Sequence, residues 1–286
     1  MEVKSLEIEH KVGIFTDESE EMIRYVKAWS KSSLDHVNRS MMHYFHNKNN
    51  PKPQTDSMIL GSAFHCLSLT PDKFKDKFAI APKVDRRTNA GKATWEGFIT
   101  ENKGKTILTE EDGARSEAMS KALLTHPDAL EILSCGEPEV AMFWINKQTG
   151  LKCKGKVDYL RNDHVIVELK KTSDASYHEF QRKINEYRYH VQGAFYLDGY
   201  YEATGKYITD FYIIVQEDNA PYATAIYKLG PKSLDAGRRE YEADLKRIVD
   251  YELLSEEDKW SGYPRGATVI EMPYWAMQKT LHGNNF

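Results

Sequence analysis

Cysteine is nearly missing from this chain. Cys66, Cys135 and Cys153 are the only three in 286 residues, scattered and odd in number. Such a set suits a reducing cytoplasm, builds no disulfide framework and cannot by itself ligate a four-thiolate cluster. Long apolar runs are missing too, and with them any expected membrane span; no secretory leader and no internal repeat is visible. The expected compartment is therefore the cytoplasm. A surplus of positive charge is the third absence. With 39 Lys and Arg against 43 Asp and Glu, the net charge is −4, so no global basic footprint advertises nucleic acid. The total does not exclude that ligand, because acidic residues gathered at a metal site cancel basic ones elsewhere and a local field steers better than a sum. What is present is enough for a folded core: 41% hydrophobic, 12% aromatic and 29% charged residues.

Periodicity and punctuation give the element order. Residues 1–15 alternate weakly, as an edge strand or an arm. Thr16-Asp17-Glu18 caps a helix expected to run to about Trp29, and Ser30 opens a second to about Phe45. Residues 46–54 read as a loop, and Thr55-Asp56 caps a helix over 57–69, ended by Pro71. On that helix Gly61 and His65 are an i, i+4 pair, where a glycine would let a second backbone approach. Residues 82–94 are basic and turn-rich. Gly91-Lys92 resembles the end of a phosphate loop, but Ala93 stands where Ser or Thr is needed, so a nucleotide-binding P-loop is rejected. A helix follows Thr109, then a strand over 139–144, helical pieces over 177–184 and 187–203, strands over 207–216 and 222–229, and a helix over 233–254. Helices, a meander, then mixed strands and helices predict an α/β sheet with helices packed on it.

The chemistry concentrates in Gly155-Lys-Val-Asp158 and Val165-Ile-Val-Glu168-Leu-Lys170. Asn162 and Asp163 divide two alternating runs, which predicts a hairpin. With the turn at 162–164 the register sets Asp158 opposite Glu168, their Cβ atoms roughly 5 Å apart, and Lys170 on the same face. Like charges so placed destabilise a sheet unless something offsets them. A hard divalent cation would do so, and would polarise a phosphodiester and acidify a bound water. An amphipathic hairpin with Val165, Val167 and Leu169 buried and the charges solvated suits the same residues. Gln192 and Tyr196, with Tyr189 on the same side, form either a polar face at a site or the flank of an aromatic core helix.

Taken in order, Gly61-x-x-x-His65, Glu139, Gly155-x-x-Asp158, Glu168-Leu-Lys170 and Gln192-x-x-x-Tyr196 resemble the RecB-type PD-(D/E)XK nucleases. Gly61-Ser-Ala-Phe-His65-Cys66, Arg86-Arg-Thr-Asn-Ala-Gly-Lys92 and Tyr187-Arg-Tyr-His-Val-Gln192 are similar, more closely, to the nuclease domain of the exonuclease VIII (RecE) family. The resemblance is collinear from about Ser30 to Trp275.

It implies a restriction-endonuclease-like α/β core with a mixed central sheet, in a single nuclease domain: an arm over 1–29, the core over 30–276 and a tail over 277–286. It implies two Mg²⁺ ions, with Mn²⁺ as substitute, held by Asp158, Glu168, the Leu169 carbonyl, Glu139 and His65. Lys170 would orient or deprotonate the water, and Gln192 and Tyr196 would hold the substrate strand or brace the site. Arg86, Arg87, Lys92, Lys156 and Tyr189 would touch DNA. The implied activity is 5′→3′ exonucleolytic digestion of linear duplex DNA, leaving 3′ tails for a RecT-like annealing partner. The implied assembly is a homo-oligomeric ring, a tetramer, with no membrane. Glu168 departs from the Asp of close relatives, implying altered metal preference, and the missing N-terminal extension implies a stand-alone nuclease. A related nuclease for single-stranded ends and a silent DNA-end or protein-binding module are the alternatives.

Overall fold

The computed structural model describes residues 11–16, 23, 25–274 and 276–277. The first half of the described chain forms β1 (Gly13–Phe15), α1 (Lys31–Arg39), α2 (Met41–Asn49), α3 (Asp56–Leu69), α4 (Phe74–Lys77), β2 (Phe78–Ile80), α5 (Asn89–Glu101), β3 (Thr106–Leu108), α6 (Glu110–Thr125) and α7 (Pro127–Ile132). The second half forms β4 (Gly136–Ile145), β5 (Lys152–Arg161), β6 (Ile166–Thr172), α8 (Tyr177–Glu186), α9 (Tyr189–Thr204), β7 (Phe211–Glu217), β8 (Thr224–Lys228) and α10 (Pro231–Glu252). Most of the helix expected after Thr16, the first ten residues and nearly all of the tail lie outside the described residues.

Six strands make one sheet in the order β1-β4-β5-β6-β7-β8. Every neighbouring pair is antiparallel except β6 and β7, which are parallel and joined through α8 and α9. This is the mixed α/β sheet that the element order predicts. One face buries Trp144, Val157, Ile166 and Ile213 against Leu34, Phe195 and Leu245 of α1, α9 and α10. The other buries Val167, Leu169 and Ile214 against Leu60 and Phe64 of α3 and Met119 of α6. Each of these side chains is worth roughly 1.5–3 kcal/mol when taken from water. Strands β5 and β6, which carry Asp158, Glu168 and Lys170, are therefore held between two packed layers. No helix among the described residues is long and apolar enough to cross a membrane.

Local chemistry explains where the elements differ from expectation. The helix expected from Ser30 to Phe45 is two helices, because Ser40 is extended (φ −177°, ψ 161°) and its hydroxyl accepts the His43 N–H as a new N-cap. The basic, turn-rich stretch over 82–94 is a short turn and then the start of α5. Thr88 caps that helix by accepting the Gly91 N–H, so Gly91-Lys92 lies in a first helical turn. Gly91 is required there, since a Cβ would stand 2.1 Å from the Asp85 carbonyl oxygen. At Gly61 the close approach is made by the stem of Lys171, 3.6 Å from where a Cβ would be, and not by a backbone. The small parallel sheet of β2 and β3 was not foreseen.

Candidate active site at the end of the central ladder

The hairpin turns at residues 162–164, and its ladder pairs Leu160 with Ile166 and Tyr159 with Val167. The next level in that register is Asp158 and Glu168, where backbone pairing stops. Side chains take over the freed backbone donors. The Leu169 N–H donates to Asp158 Oδ2 at 2.8 Å and the Asp158 N–H donates to Glu168 Oε1 at 3.3 Å. The normal alternation also slips here. Val157 joins the core under α9, whereas Tyr159, two residues on, joins the core under α3. Opposite Asp158 in the β4–β5 register stands Glu139, with a left-handed φ of 59°. A non-glycine residue in that region stores roughly 1–3 kcal/mol and is held only by its surroundings.

Five further side chains gather around the carboxylates of Asp158 and Glu168. Lys170 Nζ donates to Glu168 Oε2 at 2.6 Å, and Gln192 Nε2 donates to the same oxygen at 2.8 Å. His65 Nδ1 lies 3.5 Å from Asp158 Oδ1. Tyr196 hydrogen-bonds Gln192 and is buried with its ring over Gly155, and Tyr189 places its ring centroid 5.4 Å from Lys170 Nζ. Asp158, His65, Glu139 and Lys156 line a polar cleft of about 560 Å³, with Glu168 buried behind Asp158. Lys156 is ion-paired with Glu139. Arg86 stacks at 4.4 Å over the Trp95 ring, Arg87 pairs with Asp85, and Lys92 is exposed on α5; none of these three lines the cleft.

Burial raises the Glu168 carboxyl to about 7, and the charge of Asp158 pushes the same way. Burial acts on Asp158 in the same sense, but His65, Lys170 and the Leu169 N–H outweigh it and hold Asp158 below the usual carboxylate range. Burial alone would depress Lys170; Glu168 and Asp158 reverse that and keep it above the ordinary lysine range. The two carboxylates beside it favour the protonated lysine, which suits orientation and charge neutralisation. A carboxylate whose folded pKa lies above its unfolded one destabilises the folded state once ionised. That cost is absent below pH 4.5 and complete above about 7. In EDTA, the difference in thermal stability between Glu168→Gln and the unmodified chain should therefore move in the variant's favour as pH rises from 5 to 8. Melting curves at the two pH values check this.

The donor set fits a hard divalent cation. The carboxyls of Asp158 and Glu168 lie side by side, with the His65 imidazole 3.5 Å from Asp158, and the repulsion between the two carboxylates is what such an ion relieves. The full ligand set expected from the resemblance is not assembled, however. Among the described residues no three His, Cys, Asp or Glu side chains cluster as a cage. Glu139 is turned to Lys156, and Glu168 to Lys170 and Gln192. The arrangement suits an ion that keeps much of its water.

Gly155 supports the site from beneath. A Cβ there would meet Tyr196 Cε1 at 2.7 Å. Gly155→Ala should destabilise the fold by about 1–3 kcal/mol through overpacking. Gly97→Ala, on α5 with nothing within 4 Å, should be neutral or stabilising. Urea unfolding of both variants provides the comparison. Sequence reasoning missed Arg188, which has a left-handed φ of 53° at the N-terminus of α9 and pairs with Asp35, Glu240 and Asp244. Its partners come from distant parts of the chain, so no local pattern marks it.

Residues 27–263 match the model of a family described as "PDDEXK-like domain of unknown function (DUF3799)". A crystal structure of a "putative exonuclease" from Eubacterium rectale is similar in fold, with a TM-score of 0.55, 16% identity, and coverage of 88% of this chain and 92% of that one. No curated protein matches the chain.

Proposed function

The chain belongs to the PDDEXK-like domain family DUF3799, and we propose that it is a Mg²⁺-dependent exodeoxyribonuclease that digests linear duplex DNA from 5′ ends. The convergence of Asp158, Glu168 and Lys170 where the central ladder ends carries this reading. Asp158 and Glu168, with His65 beside them, would hold the cation, which when bound polarises a phosphodiester and acidifies a water. Lys170, fixed by Glu168, presents an ammonium to the reacting phosphate and meets the charge that develops in the transition state. Gln192 locks the Glu168 carboxylate, and Tyr196 braces Gln192 from the core. Tyr189 walls the side of Lys170, where a sugar or base of the bound strand would rest.

The resemblance to the exonuclease VIII family supports the 5′→3′ direction, 3′-tailed products for an annealing partner of RecT type, and a ring of copies, four being the expected number. Glu168 in place of Asp extends the carboxylate by one methylene, which is expected to alter metal preference, and Mn²⁺ is the expected substitute for Mg²⁺. Linear duplex labelled at either 5′ or 3′ ends tests the direction. Immediate release of the 5′ label is the expected result. Immediate release of the 3′ label would reverse the polarity, and preference for single-stranded ends would favour the related nuclease type.

A further inference from the structure

A second cleft, of about 660 Å³, lies between residues 25–30, α1, α2 and the start of β5. Its lining includes Lys27, Lys48, Lys152 and Lys154, together with His36, and among the described residues that line it there is no Asp or Glu. In a chain with more acidic than basic residues, 43 against 39, this is a local reversal of charge that favours an anion. The cleft is also aromatic. Trp29 and Tyr44 face each other with ring centroids 4.7 Å apart, Lys48 Nζ lies 5.6 Å above Tyr44, and Tyr25 at the rim is 55% exposed.

The walls are fixed by backbone and side-chain bonds. The Trp29 N–H donates to the Lys152 carbonyl and the Lys154 N–H to the Trp29 carbonyl, each at 2.8 Å. Lys154 Nζ donates to the carbonyls of Ile23 and Val26, both at 2.8 Å. Its ammonium therefore supplies fixed charge at the base, while the exposed Lys48 and Lys152 supply it at the rim. Ammonium groups for phosphates beside rings for bases are the two components by which proteins hold single-stranded nucleic acid. Volumes of about 300–1,000 Å³ accept a drug-sized ligand, the scale of one or two nucleotides, and not a duplex.

The cleft is also connected to the site already described. Lys154 lines this cleft and Lys156 lines the catalytic one. The two are next-but-one neighbours on β5 and share a sheet face. From Lys152 to Asp158 the strand advances about 20 Å. We propose that this lysine-rich, aromatic cleft binds a single strand of DNA that runs along β5 from the catalytic cleft. The inference rests on the nuclease reading for the identity of the strand; the binding chemistry stands on the cleft itself.

The test is fluorescence anisotropy in EDTA with a labelled oligothymidylate of about 12 nucleotides, within the span one such module covers. The full-length protein is compared with Lys48→Glu/Lys152→Glu, both exposed positions. The double variant should bind at least about ten-fold more weakly, and its log K against log salt slope should be shallower by about 1.4 for two lost phosphate contacts. Unchanged affinity and slope would overturn the proposal. Thymidine monophosphate binding as tightly as the oligomer would also overturn it, in favour of a free-nucleotide site. Because no hydrolysis is needed in EDTA, failure of the nuclease reading is seen separately, as the absence of metal-dependent nucleotide release.

Discussion

Asp158→Asn is expected to reduce metal-dependent DNA hydrolysis by at least about 10³-fold, some 4 kcal/mol of transition-state stabilisation, with some loss of fold stability as well, because the folded environment favours the ionised carboxyl. The substitution keeps the size of the side chain, and the amide oxygen can still accept the Leu169 N–H that Asp158 Oδ2 accepts at 2.8 Å. Only the negative charge leaves. The effect therefore isolates what the carboxylate does for a bound cation from what it does for the sheet. Lys170→Ala should produce a loss of similar size for a different reason. It removes the ammonium that Glu168 holds at 2.6 Å, so developing charge on the phosphate goes unmet. It also releases a buried carboxylate from its partner, so some instability is expected in that variant. Single-turnover rates at saturating Mg²⁺, beside melting curves, separate the two contributions.

The largest effect on stability is expected at Arg188. Its guanidinium donates to Glu240 at 3.0 Å, Asp35 at 3.1 Å and Asp244 at 2.6 Å, and so joins α9 to α1 and α10. Asp244 is fully buried. Burial pushes its carboxyl pKa up even though Arg188, the foremost of the groups opposing that rise, stands beside it. Arg188→Met would leave that carboxylate with Asn38 at 3.2 Å and Arg247 at 3.5 Å. Breaking a buried pair from one side typically costs about 3–5 kcal/mol. Arg188→Met/Asp244→Leu should recover part of the loss, since no buried charge is then stranded. Urea unfolding of the single and double variants gives both numbers. The single variant should also slow hydrolysis, because Arg188 fixes the start of the helix that carries Tyr189, Gln192 and Tyr196.

The site was more legible in the sequence than its surroundings, for physical reasons. A short polar turn fixes hairpin register, and register fixes which residues oppose, so Asp158 and Glu168 could be set at one level from the sequence alone. Helical spacing likewise put Gln192 and Tyr196 on one face. Thr55 and Thr109 were readable as caps because the capping bond spans three residues. Ser40 carries the same signal and was absorbed into an apparently continuous helix, since the residues on both sides suit a helix. Strands β2 and β3 are three residues each and pair across an intervening helix, so they show no period of their own. The reversed φ of Glu139, the fixed position of Lys154 and the Arg188 network all depend on partners far away in sequence. Gly91 was noticed for a phosphate-loop likeness, but its role is steric, beside the Asp85 carbonyl.

The most direct measurement is release of acid-soluble nucleotides from linear duplex DNA by the unmodified chain, in Mg²⁺, in Mn²⁺ and in EDTA, beside Asp158→Asn. Steady release with either ion, none in EDTA and none from the variant is the predicted result. Release that persists in EDTA or in Asp158→Asn would contradict the site. No release with either ion would contradict the nuclease account and leave a silent DNA-end or protein-binding module.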